Sequence, residues 1–371
     1  MTGVRKTIAV LPGDGIGPEV IGAAISIVEE CARGFGHRFQ FVELPFGGAA
    51  IDDCGQPLPK ETLAACDKAD AVLLGAVGGA KWDSQPLDRR PEAGLLGLRK
   101  ALGLYINVRP IRLLEPLRGI SPLRMGQDAT IDMEIVRELA GGIYFGPRQN
   151  TGSNGDEVAS DTEIYSSKEI ERVALYAFRR AAARRGQLAS IDKANVLASS
   201  GLWRRTVQRL AKDFPEVQLE SLYVDNAALQ IILRPAQFDV MLTSNMFGDI
   251  LSDEAAALVG SIGLIPSMSL GKGTALYEPI HGSAPQLAGK DFANPIGTIL
   301  CAAMMLRESF GLPAEAAAIE KAVLNVLSHG FRTPDIAKAG TQTIGCTEMA
   351  TRIRGAVAES LAETERYGWG V

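Results

Sequence analysis

Short apolar runs alternate along this chain with longer stretches in which apolar residues return every three or four positions. The first pattern is that of buried strands, the second that of amphipathic helices. By this rule TIAVL (7–11) is a strand, and the segment from about Glu19 to Arg33 is a helix. FQFVEL (39–44) and AVLLG (71–75) predict further strands, and LLGLRKAL (95–102) a short helix. YINVRP (105–110) predicts a strand ended by its proline, and IDMEIVREL (131–139) another strand. KEIERVALYAFRRAAARR (168–185) is a long amphipathic helix. The strand LASID (188–192) follows it, then three more strand–helix alternations to about Gly260. From Asn294 to about Glu365 the chain reads as mostly helical, with few strands. Glycine-rich QNTGSNGDEVAS (149–160) reads as an exposed turn or arm.

This order predicts the α/β class. The late helices need a sheet to cover, and the early strands are the available one. The pattern therefore predicts a discontinuous first domain over 1–104 and 260–371, and a second domain over 105–259.

Composition narrows the function. The chain has 371 residues, 46% hydrophobic and 22% charged, with a net charge of −5. That is an ordinary globular composition, and its lack of excess positive charge argues against a nucleic-acid partner. The apolar stretch over 293–306 is bounded by Asp291 and Arg307, and is shorter than the ~20 residues a membrane span needs. The apolar run Ile8–Leu11 is too short for a signal peptide. Cys31, Cys54, Cys66, Cys301 and Cys346 form no CxxC pair and no zinc spacing, which suits a reducing cytoplasm.

The strongest candidate chemistry is in FGDILSDEA (247–255), where Asp249 and Asp253 stand four apart on a helical pattern and share one face. Like charges at that spacing repel unless a cation lies between them, and Mg²⁺ or Mn²⁺ takes such carboxylate oxygens. A solvated acidic face would produce the same spacing. Asp225 sits at a strand-to-helix junction, where it is either a third ligand or a helix N-cap. Arg99, Arg109 and Arg137 have strongly apolar neighbours, and arginine in such surroundings has an anionic partner. The partner is either an internal carboxylate or a substrate with two carboxylates. Lys193, directly after an apolar strand, and Tyr144 are candidates for proton transfer or for plain packing. GDGIG (13–17) follows a strand but is not GxGxxG, so it supports a Rossmann assignment only weakly. HGSAPQLAGK (281–290) is a loop of small residues that lets backbone approach a flat or phosphorylated ligand.

Together these segments resemble the isocitrate/isopropylmalate family of metal-dependent β-decarboxylating dehydrogenases, from about residue 7 to about 355. The resemblance rests on GDGIGPEV, GAVGGAKWD (75–83), RPEAGLLGLRK (90–100), VRELAGGIYFG (136–146), DKANVL, YVDNAALQ, NMFGDILSDEA (245–255) and YEPIHGSAPQLAGK (277–290), in that order. It implies a two-domain α/β fold that is not a Rossmann fold, with a discontinuous first domain for the cofactor and a second domain for metal binding and dimerisation. It implies that Arg99, Arg109 and Arg137 hold the malate carboxylates, and that Tyr144 and Lys193 are the acid/base pair. Asp225, Asp249 and Asp253 would bind Mg²⁺ or Mn²⁺, with Asp225 also beside the substrate. Lys193 and Asp225 would serve the neighbouring subunit's site in a homodimer. Val196, Glu92, Leu95 and Leu96 would line the substrate, and Gly78, Gly79, Glu92, His281, Gly282, Ser283, Ala284, Pro285, Gln286 and Asn294 would contact NAD.

Leu95 and Leu96 form an apolar wall near Arg99. Burying an isopropyl group there is worth on the order of 2 kcal/mol, while a carboxylate left there without a partner costs more. The expected reaction is therefore NAD-dependent oxidative decarboxylation of 3-isopropylmalate to 2-oxo-4-methylpentanoate, rather than of isocitrate. Homoisocitrate, tartrate or another alkylmalate is the nearest alternative substrate, and a non-catalytic regulatory paralogue is the alternative of another class. Two departures from the family pattern are Ala80 in place of a proline and Gln286 in place of the aspartate of NAD users.

Overall fold

The computed structural model describes residues 3–124, 126, 130–153 and 155–367. The described chain forms two compact units. Residues 1–103, 114–121 and 259–371 make the first, and 104–113 with 122–258 make the second.

The first unit opens with β1 (Arg5–Gly13), α1 (Gly17–Phe35), β2 (Arg38–Glu43), α2 (Gly47–Cys54), α3 (Lys60–Lys68), β3 (Ala71–Ala76) and α4 (Pro91–Ala101). Pro18 starts α1, and Gly36 ends it in the left-handed conformation at φ 76°. α4 begins four residues before the expected Leu95, because Pro91 suits the first helical turn.

The second unit contains β4 (Leu104–Arg112), β5 (Asp132–Glu138), β6 (Arg148–Thr151), β7 (Val158–Asp161), α5 (Ser167–Ala182), β8 (Gln187–Asp192), α6 (Ala198–Leu210), β9 (Gln218–Tyr223), α7 (Val224–Leu233), β10 (Val240–Thr243) and α8 (Asn245–Leu258). Ser166 and Glu169 close a reciprocal capping box on α5. β6 and β7 pair as an exposed antiparallel hairpin over the predicted arm, whose Asn154 lies outside the described residues. Two strand–helix pairs follow β8 and α6, not three.

The proline in YINVRP does not end its strand. β4 and β5 pair antiparallel with Pro110 opposite Glu134, and the ladder continues to Arg112 opposite Asp132. The Glu134 amide donates to the Asp239 carbonyl, on the other side of β5. Pro110 therefore faces β5 at a non-hydrogen-bonded pair, where a missing N–H costs that ladder nothing.

The last segment returns to the first unit with β11 (Pro266–Gly271), β12 (Leu276–Pro279), α9 (Ile296–Glu308), α10 (Pro313–Ser328), β13 (Phe331–Arg332), β14 (Gln342–Thr343) and α11 (Cys346–Tyr367). In the first unit the strands run β2-β1-β3-β12-β11, parallel except for the β11–β12 pair. This is not the 3-2-1-4-5-6 order of a dinucleotide-binding Rossmann sheet. α1, α9, α10 and α11 pack around one another, and α9 lies against β3, β11 and β12. The short 114–121 segment lies with this unit, where Leu117 is buried and Arg332 Nη2 donates to the Pro116 carbonyl. In the second unit the strands run β4-β5-β10-β8-β9, parallel beyond β5. All five cysteines are free thiols, four of them buried. Among the described residues no helix is long and apolar enough to cross a membrane.

Candidate active site

Parallel strands deliver their following residues to one edge of a sheet, and ligands bind at that carboxyl edge. In the second unit, β5 brings Arg137 there, β10 leads into Asp249 and Asp253 on α8, β8 into Lys193, and β9 into Asp225 on α7. Thr243 at the end of β10 stands opposite Arg137. Gly248 lets α8 come this close: a Cβ there would lie 2.3 Å from Thr243 Oγ1 and 2.8 Å from Arg137 Cβ.

Asp249 is the centre of the cluster. Arg137 Nη1 forms a very short ion pair with its Oδ1, and Arg109 Nη2 lies 3.5 Å from the same oxygen. The Tyr144 hydroxyl donates to Oδ2 at 3.0 Å. Arg109 is braced by Asn107 Oδ1 at 2.8 Å and Ser252 Oγ at 2.6 Å, and its Nη1 is 3.7 Å from Asp253 Oδ1. Both arginine side chains are buried, whereas Asp249 and Asp253 remain 38% and 60% exposed.

This environment treats the two carboxylates differently. Burial works against ionisation of Asp249, but Arg137, Arg109 and the Tyr144 hydroxyl outweigh it and hold its carboxyl below the usual range. At Asp253 burial prevails, helped by the negative Asp249, and the carboxyl is raised despite Arg109. Burial, then the adjacent Asp249 carboxylate, raises the Tyr144 phenol, so its proton is retained at neutral pH.

Lys193 Nζ and Asp225 Oδ1 form a second, separate pair, also very short, beside the Tyr223 ring. The hydrogen bond from Lys193 lowers the Asp225 carboxyl. Asp225 lies in the first turn of α7 but caps nothing through its side chain, so the N-cap alternative falls away. Val196 is exposed, in the turn that Lys193 opens. Hard oxygens on one face of α8 suit Mg²⁺ or Mn²⁺. Among the described residues no three acidic, histidine or cysteine side chains converge within one chain to hold a metal, because Asp225 stands with Lys193.

The first unit carries the remaining candidates. Arg99 Nη2 bonds Glu278 Oε1 at 2.6 Å, and both side chains are largely buried. Leu95 and Leu96 are half-buried on α4, and Glu92 is exposed at its start. His281 is buried; its Nδ1 donates to the Gly282 carbonyl at 3.0 Å, which leaves Nε2 an acceptor, buried without a partner. Burial lowers the imidazole's pKa and keeps it neutral. The next residue, Gly282, is exposed, and a Cβ built on it would meet nothing within 4 Å, so backbone there is open to approach. Pro285 and Gln286 are exposed and Ala284 is left-handed at φ 38°. Asn294 is spent on structure: Oδ1 accepts from the Ile296 amide and Nδ2 donates to Asp335.

One structural residue was not read from the sequence. Asp14 of GDGIG accepts the amides of Gly48 and Gly78 on Oδ2 and of Ala49 on Oδ1, at 2.8–2.9 Å. It thereby caps α2 and fixes the loop of Gly78 and Gly79. Ile16 donates to the Ser283 carbonyl and Gly289 to Glu19 Oε1, so GDGIG buttresses the 281–290 loop. Its place just before α1 gave no signal for this role, because the helix it caps is α2 and not α1.

The motifs of these loops and clusters have counterparts elsewhere. The profile of the isocitrate/isopropylmalate dehydrogenases matches residues 7–353. The chain is 54% identical over 363 residues to the 3-isopropylmalate dehydrogenase of Bacillus licheniformis, covering 97% of each. It is 54% identical over 353 residues to that of Moorella thermoacetica, covering 95% of this chain and 99% of the other. A solved isocitrate dehydrogenase from Methylococcus capsulatus shares its fold with a TM-score of 0.85 at 34% identity, over 95% of this chain and 99% of that one. Agreement in sequence over nearly the whole length, and in fold, leaves one conclusion: the chain belongs to the isocitrate/isopropylmalate dehydrogenase family.

Proposed function

We propose that this protein oxidises and decarboxylates 3-isopropylmalate to 2-oxo-4-methylpentanoate, a step of leucine biosynthesis in the cytoplasm, with NAD as hydride acceptor. The observation that carries the reading is the Arg109–Arg137–Tyr144 cluster around Asp249, with Asp253 one turn further along α8. Two buried guanidinium forks offer the planar, bidentate geometry that suits the carboxylates of a malate. Arg99, steadied by Glu278, is the third cation. Leu95 and Leu96 give the 3-alkyl group an apolar surface.

Asp249 and Asp253 would hold Mg²⁺ or Mn²⁺, with Asp225 of a second copy as a third ligand; the metal would supply Lewis acidity for the substrate's C2 oxygen, and NAD would supply the hydride acceptor. Lys193, released from Asp225 as the neutral amine, accepts the C2 hydroxyl proton. The C3–carboxylate bond then breaks to release CO₂, and Tyr144, which keeps its proton beside ionised Asp249, donates it to C3. The first unit binds NAD through the 281–290 loop and the Gly78–Gly79 turn.

Dimerisation is supported by apolar side chains left exposed on one pair of helices. Leu229, Ile232 and Leu233 on α7, and Ile250 on α8, are 45–62% exposed. They lie on the helices that carry Asp225 and Asp249, so a two-fold contact there brings each chain's Asp225 and Lys193 toward its partner's site. The test is NADH formation with a panel of 3-substituted malates, with and without Mn²⁺. Turnover should be fastest with the 3-isopropyl compound and should require the metal. Faster turnover of isocitrate or homoisocitrate would overturn the substrate assignment.

A further inference from the structure

Arg137 ends one side of a tight turn and Tyr144 follows the other. The β4–β5 ladder ends with the Leu139 amide donating to the Tyr105 carbonyl at 3.0 Å, and the Gly142 amide donates to the Ile164 carbonyl at 3.1 Å. Between these two bonds, buried polar side chains pin the turn from both sides. Glu138, fully buried, accepts the amides of Ala140 at 3.0 Å and Gly141 at 2.8 Å. Asn245, 1% exposed at the start of α8, does two things with one amide. Its Oδ1 accepts from Arg137 Nε at 2.9 Å, and its Nδ2 donates to the Gly141 carbonyl at 3.0 Å. Its own backbone amide donates to the Tyr165 hydroxyl at 2.9 Å. The turn rests on that tyrosine: Gly142 has φ +76°, and a Cβ on it would lie 2.5 Å from the Tyr165 oxygen.

The chemistry at position 245 is specific. The guanidinium offers only donors and the Gly141 carbonyl only accepts, so the buried group between them must both accept and donate. A carboxylate in its place meets the carbonyl with a second acceptor, and a hydroxyl is too short to span both. Because the partners are buried, losing either bond leaves an unpaired group.

We propose that Asn245 is a positioning residue that sets Arg137 and the Tyr144 turn in one register, so that the acid stands on one face of C3 when CO₂ has left. This rests on the function proposed above. In that step the electron pair of the breaking C3–carboxylate bond passes into the enolate, the Tyr144 proton forms the new C3–H bond, and tyrosine recovers a proton from solvent. With both groups in register, protonation is confined to one face. With the turn loosened, water competes from either face.

The experiment is turnover of 3-isopropylmalate in D₂O, with the product trapped at once by reductive amination and its C3 deuterium assigned by NMR. The unmodified enzyme should place deuterium in one stereochemical position. Asn245→Asp, which keeps the contact to Arg137 but loses the bond to Gly141, should scramble that label. Asn245→Ser, which loses both, should scramble it and also raise KM for the malate by roughly tenfold, the value of one hydrogen bond to a charged group. If Asn245→Ser does not fold, the isosteric Asn245→Asp decides alone. Folded variants with a lower kcat but an unchanged KM and a stereospecific label would overturn the positioning role. An unmodified enzyme that forms no NADH, or no C3-labelled product, would instead count against the proposed function.

Discussion

Around α8 in the second unit, the proposed recognition rests on charged side chains. Around the 281–290 loop in the first unit, the proposed recognition rests on backbone. Arg109 and Arg137 converge on Asp249, with Asn107, Ser252 and Asn245 bracing them from behind. In the first unit Asp14 spends its carboxylate on three amides, and Arg332 spends its guanidinium on the carbonyls of Leu327, Phe331 and Pro116. Both regions bury ionisable groups, but one gathers them around a partly exposed carboxylate and the other uses them to hold loops in shape. Substitutions around α8 should therefore act on the chemical step with large effects, whereas those near the 281–290 loop should shift preferences in small increments.

The sharpest break would come at Asp249. Asp249→Asn keeps the shape but removes the charge on which the arginines converge. It should lower kcat/KM on the order of 10²- to 10³-fold. Chelation by EDTA should abolish turnover of the unmodified enzyme, and Mn²⁺ should restore it. Full activity in chelator would refute the metal assignment.

Next in size is the sharing of sites. Lys193→Ala and Arg99→Ala should each be nearly inactive, yet mixing and refolding them should recover activity, because each hybrid dimer holds one intact site. Verified hybrids with no activity would confine the whole site to one chain.

A smaller effect is expected at the alkyl wall. Leu95→Ser should reduce kcat/KM for 3-isopropylmalate by about tenfold to thirtyfold, the equivalent of ~2 kcal/mol of lost apolar contact. Unsubstituted malate should be nearly unaffected, and an equal loss for both would place the pocket elsewhere.

The smallest shift concerns NAD against NADP. An aspartate at 286 would repel a 2′-phosphate, and Gln286 does not. NAD should still be preferred, since a phosphate needs cations to meet it. Arg332 is not available for that purpose: it is buried and both its terminal nitrogens donate to main-chain carbonyls. Exposed Lys290 is the remaining candidate nearby. Gln286→Asp should widen the NAD margin severalfold, mainly by weakening NADP. A higher kcat/KM with NADP in the unmodified protein would reverse this, and Lys290→Ala would then test the source.

What could be read from the sequence follows from the range over which each feature acts. Strands such as β1 and β3 and helices such as α1 and α5 announce themselves through local apolar periodicity. The i, i+4 spacing of Asp249 and Asp253 is local too, so both the helix and its acidic face were legible. β11 was not, because Ser267 and Ser269 alternate with its apolar residues and are nonetheless buried, through contacts distant in sequence. Pro110 misled because its effect depends on which side of the strand its neighbour lies. Asp14 and Asn245 escaped for a related reason: their side-chain partners are distant in sequence, and only the folded chain brings them near.

The division of the first unit into separated segments has a consequence for synthesis. β3 pairs with β12, about two hundred residues later in the chain, and α1 packs against α11. A nascent chain cannot close these contacts until its last third has left the ribosome. The strands and helices of the second unit have all emerged by then. The second unit should thus become protease-resistant first, while β1, β2 and β3 wait with an unpaired sheet edge. A chaperone on that edge, or fast translation after residue 259, would shorten the time it stands unpaired.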